Sequence, residues 1–275
     1  MEGDHMPQTA FDALMPPQMA SKAESVGLAK ARLGAQQMFA LAVLAGAFIA
    51  MGAVFSTTVT TGAKDWPFGV VRLLGGLSFS LGLILVVVAG AELFTGNNLI
   101  VMAWASGKVT LGQVLRNWSI VFFGNLVGAL LTAYLMFLSK QYTFAGGAVG
   151  LNALHIANAK VNLEFFHAAT LGIFCNALVC LAIWLCMSAR STTDKVLSII
   201  PPIAAFVAAG FEHSIANMYF IPVALFIKSG AAPGFWAQSG KTAADFPQLT
   251  WEHFVLANLL PVTLGNLIGG ALMVG

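Results

Sequence analysis

Gly210-Phe211-Glu212-His213-Ser214-Ile215-Ala216-Asn217 decides how this chain is read. It sets a glutamate, a histidine and an asparagine inside a largely apolar run from Leu197 to Ile227 in which Glu212 is the only acidic or basic residue besides the histidine. A glycine followed by polar residues breaks a helix, and irregular backbone at membrane depth survives only where protein buries it or a cavity borders it. The stretch therefore predicts a transmembrane helix broken near the midplane.

A second break carries the same pattern. Gly90-x-Glu92-x4-Asn97 matches Gly210-x-Glu212-x4-Asn217 at an offset of 120 residues. Further on, Gly124-Asn125-Leu126-Val127-Gly128 returns as Gly265-Asn266-Leu267-Ile268-Gly269 at an offset of 141. Two ordered matches favour duplication over chance likeness between glycine- and leucine-rich helices. The Gly-Asn-Leu-x-Gly pieces are small-residue faces on which helices approach closely.

Composition agrees with a membrane solvent. The 275 residues are 58% hydrophobic and 9% charged, against about 25% charged in a soluble domain. Mean hydropathy is +0.83. A soluble enzyme, a disordered chain and a nucleic-acid binder are excluded, the last because a net charge of +2 cannot track phosphates. Charge-free runs such as 33–63, 165–189 and 253–275 locate the spans, and about 20 apolar residues are needed for each crossing. The expectation is an all-α polytopic membrane protein with six transmembrane helices, of which helices 2 and 5 are broken. Three crossings per half invert the second half, with repeat one over about 36–139 and repeat two over about 164–275. Residues 1–6 read as an expression scar and 7–35 as a cytoplasmic segment, extended to residue 20 and then a surface helix over Ser21–Arg32. Residues 36–275 form the transmembrane domain. Seven basic residues against six favour a cytoplasmic N-terminus.

Each restart after a break is expected to present free backbone N–H groups and partial positive charge, which favours a small anion. Thr95, Ser214, Asn97, Asn98 and Asn217 add hydroxyls and amides around them. His213 is the one deep titratable ring, read either as a functional proton carrier or as a buried neutral tie between helices. Glu92 and Glu212 are read as structural, either accepting hydrogen bonds from the broken backbone or protonated. By pattern alone Phe79, Leu83 and Phe206 are packing residues. Cys175, Cys180 and Cys186 share one apolar segment and read as core. No catalytic constellation, metal cluster or cofactor motif is found, and a lone deep histidine leaves no axial pair for haem.

At Phe79-Ser80-Leu81-Gly82-Leu83, Ala91-Glu92-Leu93-Phe94-Thr95 and Gly210 through Asn217, the chain resembles the formate/nitrite transporter family, over nearly all of residues 10–275. The resemblance implies an aquaporin-like fold, a homopentamer in a bacterial inner membrane, and one pore per protomer that passes formate and related small monovalent anions with pH gating. It implies pore constrictions at Leu83 and Phe206 with Phe79 beside the path, and a gate at Leu93, Phe94 and Thr95. It also implies polar pore positions at His213 and Asn176, with Lys160 near the outer mouth. Nitrite and hydrosulfide stand as alternative cargoes. An aquaporin-like pore for neutral solutes is disfavoured by the lack of paired Asn-Pro-Ala motifs. A membrane enzyme using Glu212 and His213 lacks a nucleophile.

Overall fold

The computed structural model describes residues 13–275, so the expected scar over 1–6 lies outside them. Helix α1 covers Pro16–Ala31 and begins earlier than the sequence reading places it. The reason is local: proline in a first helical turn has its φ preset and lacks only an N–H that would find no partner there. After it come α2 (Ala35–Val59), α3 (Phe68–Ala89), a 3₁₀ turn (Gly96–Leu99), α4 (Ile100–Ala105) and α5 (Leu111–Leu138). The second half holds α6 (Ala148–Val161), α7 (Phe165–Ser188), α8 (Thr192–Ala209), α9 (Ser214–Gly230), α10 (Pro233–Ser239) and α11 (Trp251–Val274). Six of these, α2, α3, α5, α7, α8 and α11, are long and apolar enough to cross a membrane.

The halves run in opposite directions. Lys22 on α1 donates to Met187 O at the end of α7, whereas Asn152 on α6 donates to Thr57 O at the end of α2. Thus α1 sits where α2 starts and α7 finishes, and α6 where α2 finishes and α7 starts. Within each half the Gly-Asn-Leu-x-Gly face seats one helix on another. A Cβ at Gly128 of α5 would lie 1.9 Å from Val43 O of α2, and one at Gly269 of α11 would lie 2.0 Å from Ile173 O of α7. Only glycine permits that approach.

Both breaks end their helices the same way. Gly90 and Gly210 take left-handed φ values of 76° and 79°, and the next residue's N–H reaches back five residues, Ala91 to Val86 O and Phe211 to Phe206 O. This is the Schellman termination that glycine favours. The helices before the breaks are longer than a half-span: 22 residues in α3 and 18 in α8. The restarts are unequal. The first half resumes as a short 3₁₀ turn and six-residue α4, while α9 runs 17 residues and then bends by 109° into α10. On α5, Phe123, Val127, Leu131 and Leu138 are exposed along one face, an apolar stripe suited to lipid or a neighbouring protomer.

Candidate functional site

The two breaks are held by matching sets of side chains. In the first, Asn125 on α5 donates to Ala42 O (2.7 Å) and Glu92 O (2.9 Å) and accepts from Phe94 N–H (2.9 Å). In the second, Asn266 on α11 donates to Gly172 O (2.8 Å) and Glu212 O (3.0 Å) and accepts from Ser214 N–H (2.9 Å). Both asparagines are fully buried. Backbone groups that lost their helical partners are satisfied by these amides, as burial demands. The glutamates do not serve the broken backbone with their side chains, contrary to the sequence reading. Each is instead ion-paired: Glu92 with Lys30 at 2.6 Å, Glu212 with Lys160 at 2.7 Å.

The match extends to the second carboxylate oxygen. Asn97 donates to Glu92 (2.7 Å) and to Asn117 (2.9 Å), and Asn217 donates to Glu212 (2.7 Å) and to Asn258 (2.7 Å). Asn117 and Asn258 then donate to the backbone carbonyls of Lys30 and Lys160. Lys30 lies on α1 and Lys160 on α6, so the paired architecture reaches back into both short helices that precede the spans. Pairing also cancels the carboxylate charge that would otherwise repel an anion.

The breaks meet. His213 Nε2 lies 3.0 Å from Thr95 Oγ1, joining the two halves at the centre of the protein. The ring's other nitrogen fixes the tautomer. His213 is the N-cap of α9, and its Nδ1 accepts the Ala216 N–H at 3.0 Å. An accepting Nδ1 carries no proton, so the neutral ring bears its hydrogen on Nε2 and donates it to Thr95. Phe206 stacks on the ring with centroids 5.9 Å apart, and Phe79 meets Phe206 edge-on at 5.7 Å.

A cavity of about 650 Å³ opens on the α6 face and reaches this point. Its walls include Phe79, Phe206, Phe220, Lys160, Glu212, His213 and Asn217. Lys160 lies 5.5 Å from the Phe220 ring centroid, at the cavity wall. Leu83, one helical turn beyond Phe79, is buried and does not line the cavity; neither do Leu93, Phe94 and Thr95, which are buried behind His213. That short segment is well tied, since Leu93 O accepts from Asn97 N–H and Phe94 O from Asn98. Asn176 also lies outside the cavity. It is fully buried on α7 and donates to Asn98 (2.7 Å) and Asn266 O (2.7 Å), binding the first break to α11.

Asn125, Asn266 and His213 thus take the Phe94, Ser214 and Ala216 N–H groups, so part of the anion-attracting backbone foreseen from the breaks is spoken for. Among the described residues, Ser214 Oγ, Asn217 Oδ1 and Asn176 Oδ1 are buried without a hydrogen-bond partner. Sequence reasoning missed Lys30, Asn117 and Asn258. A signal was present: Asn258 stands 141 residues after Asn117, the same spacing that separates the Gly-Asn-Leu-x-Gly pieces. It missed Arg72 too, which lines the cavity and bonds to the end of α8.

Known proteins share this sequence over most of its length. Residues 17–275 match the family model described as formate/nitrite transporter. The formate channel FocA of Escherichia coli strain K12 is 51% identical over 265 residues, covering 96% of this chain and 93% of that protein. The formate channel FocA of Haemophilus influenzae is 42% identical, with 96% and 93% covered. Among solved structures, a pentameric formate channel with formate bound superposes with a TM-score of 0.85 at 50% identity, covering 88% of this chain and 94% of that one.

Proposed function

We infer that this chain, which belongs to the formate/nitrite transporter family, is a membrane channel that passes formate and related small monovalent anions. The observation that carries the reading is the meeting of two helix breaks at His213 and Thr95, at the foot of a cavity walled by Phe79 and Phe206. Kinship to proteins named as formate channels, at 51% and 42% identity, supplies the cargo. The likeness to a pentameric channel supports a homopentamer here.

The residues divide the work. Phe79 and Phe206, with Leu83 one turn further in, form an apolar constriction that strips water and rejects larger solutes. An anion without hydration is strongly penalised in such surroundings. The Nε2–H of His213 and the unpartnered Ser214 hydroxyl offset that penalty as the anion passes, Nε2–H exchanging Thr95 for the anion. Leu93, Phe94 and Thr95 form a gate between constriction and opposite face, held by Asn125 and by Asn176 on α7. Lys160 at the cavity wall guides the anion while Glu212 holds it in place. Conduction is pH-dependent because a second proton on His213 must take Nδ1 from the Ala216 N–H. The protein acts in a bacterial inner membrane, multi-pass, with α1 on the cytoplasmic side and the cavity facing outward, and carries out no catalysis.

Proteoliposomes loaded with labelled formate, nitrite or hydrosulfide test this directly, with and without a proton gradient. Formate flux above that of protein-free vesicles is expected, with the solubilised protein weighing as a pentamer. Flux of nitrite or hydrosulfide without formate would reassign the cargo.

A further inference from the structure

The cavity wall carries one positive charge without an ion-pair partner. Lys160 is neutralised by Glu212, but Arg72, which lines the same cavity, has no carboxylate within 4 Å among the described residues. Its guanidinium is anchored: Nε donates to Ala208 O (3.0 Å) and Nη2 to Val207 O (2.6 Å), the closing carbonyls of α8 beside the second break. Nη1 makes no hydrogen bond within the described residues. A fork fixed at two points and open at the third is suited to an oxyanion, because its remaining donors are held in place before the ligand arrives.

We propose that Arg72 forms an anion-binding station in the outward cavity, which collects monovalent oxyanions ahead of the aromatic constriction. The station rests on the channel reading of the protein. Lys160 at this wall shares its charge with Glu212, and His155 adds none at neutral pH. His155 on α6 is held below the ordinary histidine range, by burial first and then by Lys241 and Lys64, so it is neutral there. His167 also lines the cavity, and Glu212, whose charge acts on Arg72 through space as well, is hydrogen-bonded by Lys160 and two asparagines. The station belongs to one end of the path only. The residue 120 positions on from Arg72 is Thr192, so the inverted half places no arginine at the matching point.

An open unit charge acting over about 8 Å, through an effective dielectric constant of about 20–40, raises local anion occupancy by about five- to thirtyfold before screening. The test measures the formate concentration that half-saturates flux into proteoliposomes, for wild type, Arg72→Gln and Arg72→Lys. It is run at about 20 mM and about 0.5 M ionic strength set with an impermeant anion. At low salt, Arg72→Gln is expected to raise that concentration about fivefold, and at high salt less than about twofold. Arg72→Lys, which keeps the charge but not the forked anchor, is expected to fall between wild type and Arg72→Gln at low salt. Pentamer mass of each variant shows that it is folded. An unchanged value in folded Arg72→Gln at low salt overturns the proposal. Equal impairment of both variants at both salts overturns it as well, since that is the mark of a lost helix cap. A wild type that carries nitrite but no formate sinks the formate reading alone, because the comparison runs equally on nitrite; one that carries neither sinks both.

Discussion

Replacing His213 separates its two hydrogen bonds and its proton. His213→Phe keeps an aromatic ring to stack on Phe206 but orphans the Ala216 N–H and the Thr95 hydroxyl, each 3.0 Å from a ring nitrogen in a buried site. A buried polar group left unsatisfied costs about 1–3 kcal/mol, so the substitution should destabilise by about 2–6 kcal/mol. His213→Asn restores the first bond, because asparagine is a strong N-cap and its side-chain oxygen accepts from the same helical turn. Its cost should be smaller by about 1–3 kcal/mol. Neither residue titrates. Thermal dissociation of the detergent-solubilised protein measures the first effect, and formate flux between pH 5 and pH 8 measures the second. We expect His213→Asn to be the more heat-resistant variant and to conduct with a flat pH profile, whereas wild-type flux varies with pH. A wild-type pH profile in His213→Asn would refute the role of the ring as proton carrier. Equal heat resistance of the two variants would refute the cap argument.

Leu83→Ala combined with Phe206→Ala should let carboxylates larger than formate pass faster relative to formate, read as a flux ratio; an unchanged size cutoff in the folded protein returns both residues to packing. Gly128→Ala and Gly269→Ala should each abolish assembly of the folded protein, because the new Cβ would stand 1.9 and 2.0 Å from a facing carbonyl oxygen. Normal yield and thermal stability of either would show that the helices slide apart at little cost. Amide exchange should find residues 91–95 opening more readily than 211–213 as pH is varied, since only the first break leads into a short 3₁₀ turn and a six-residue helix. Equal protection at every pH would move the gate elsewhere.

Much of the architecture was open to reading from the residues. Hydropathy located six spans, and the paired Gly-x-Glu-x4-Asn and Gly-Asn-Leu-x-Gly patterns disclosed two related halves. These are local signals: apolar length reflects bilayer thickness, and a glycine among polar residues marks a break wherever it occurs. The start of α1 was misplaced, though Pro16 held the clue. Nothing nearby in sequence tells that Lys30 and Lys160 each reach a glutamate more than 50 residues away.

The order of residues alone sets the solvent this chain lives in, the number of its crossings, and the two places where its helices must stop. Packing in three dimensions settles what those stops are for. Asn125 and Asn266 became clamps only when α5 and α11 lay against the breaks, and the glutamates became ion-paired only when α1 and α6 delivered their lysines. His213 acquired its tautomer from one neighbour along its own helix and from one, Thr95, 118 residues back. Arg72 became an open charge over a cavity because α3 crosses the end of α8. The reason is that helix breaking and burial are set by residues close in the chain, whereas charge pairing and donor direction depend on which groups the inverted packing brings within about 3 Å.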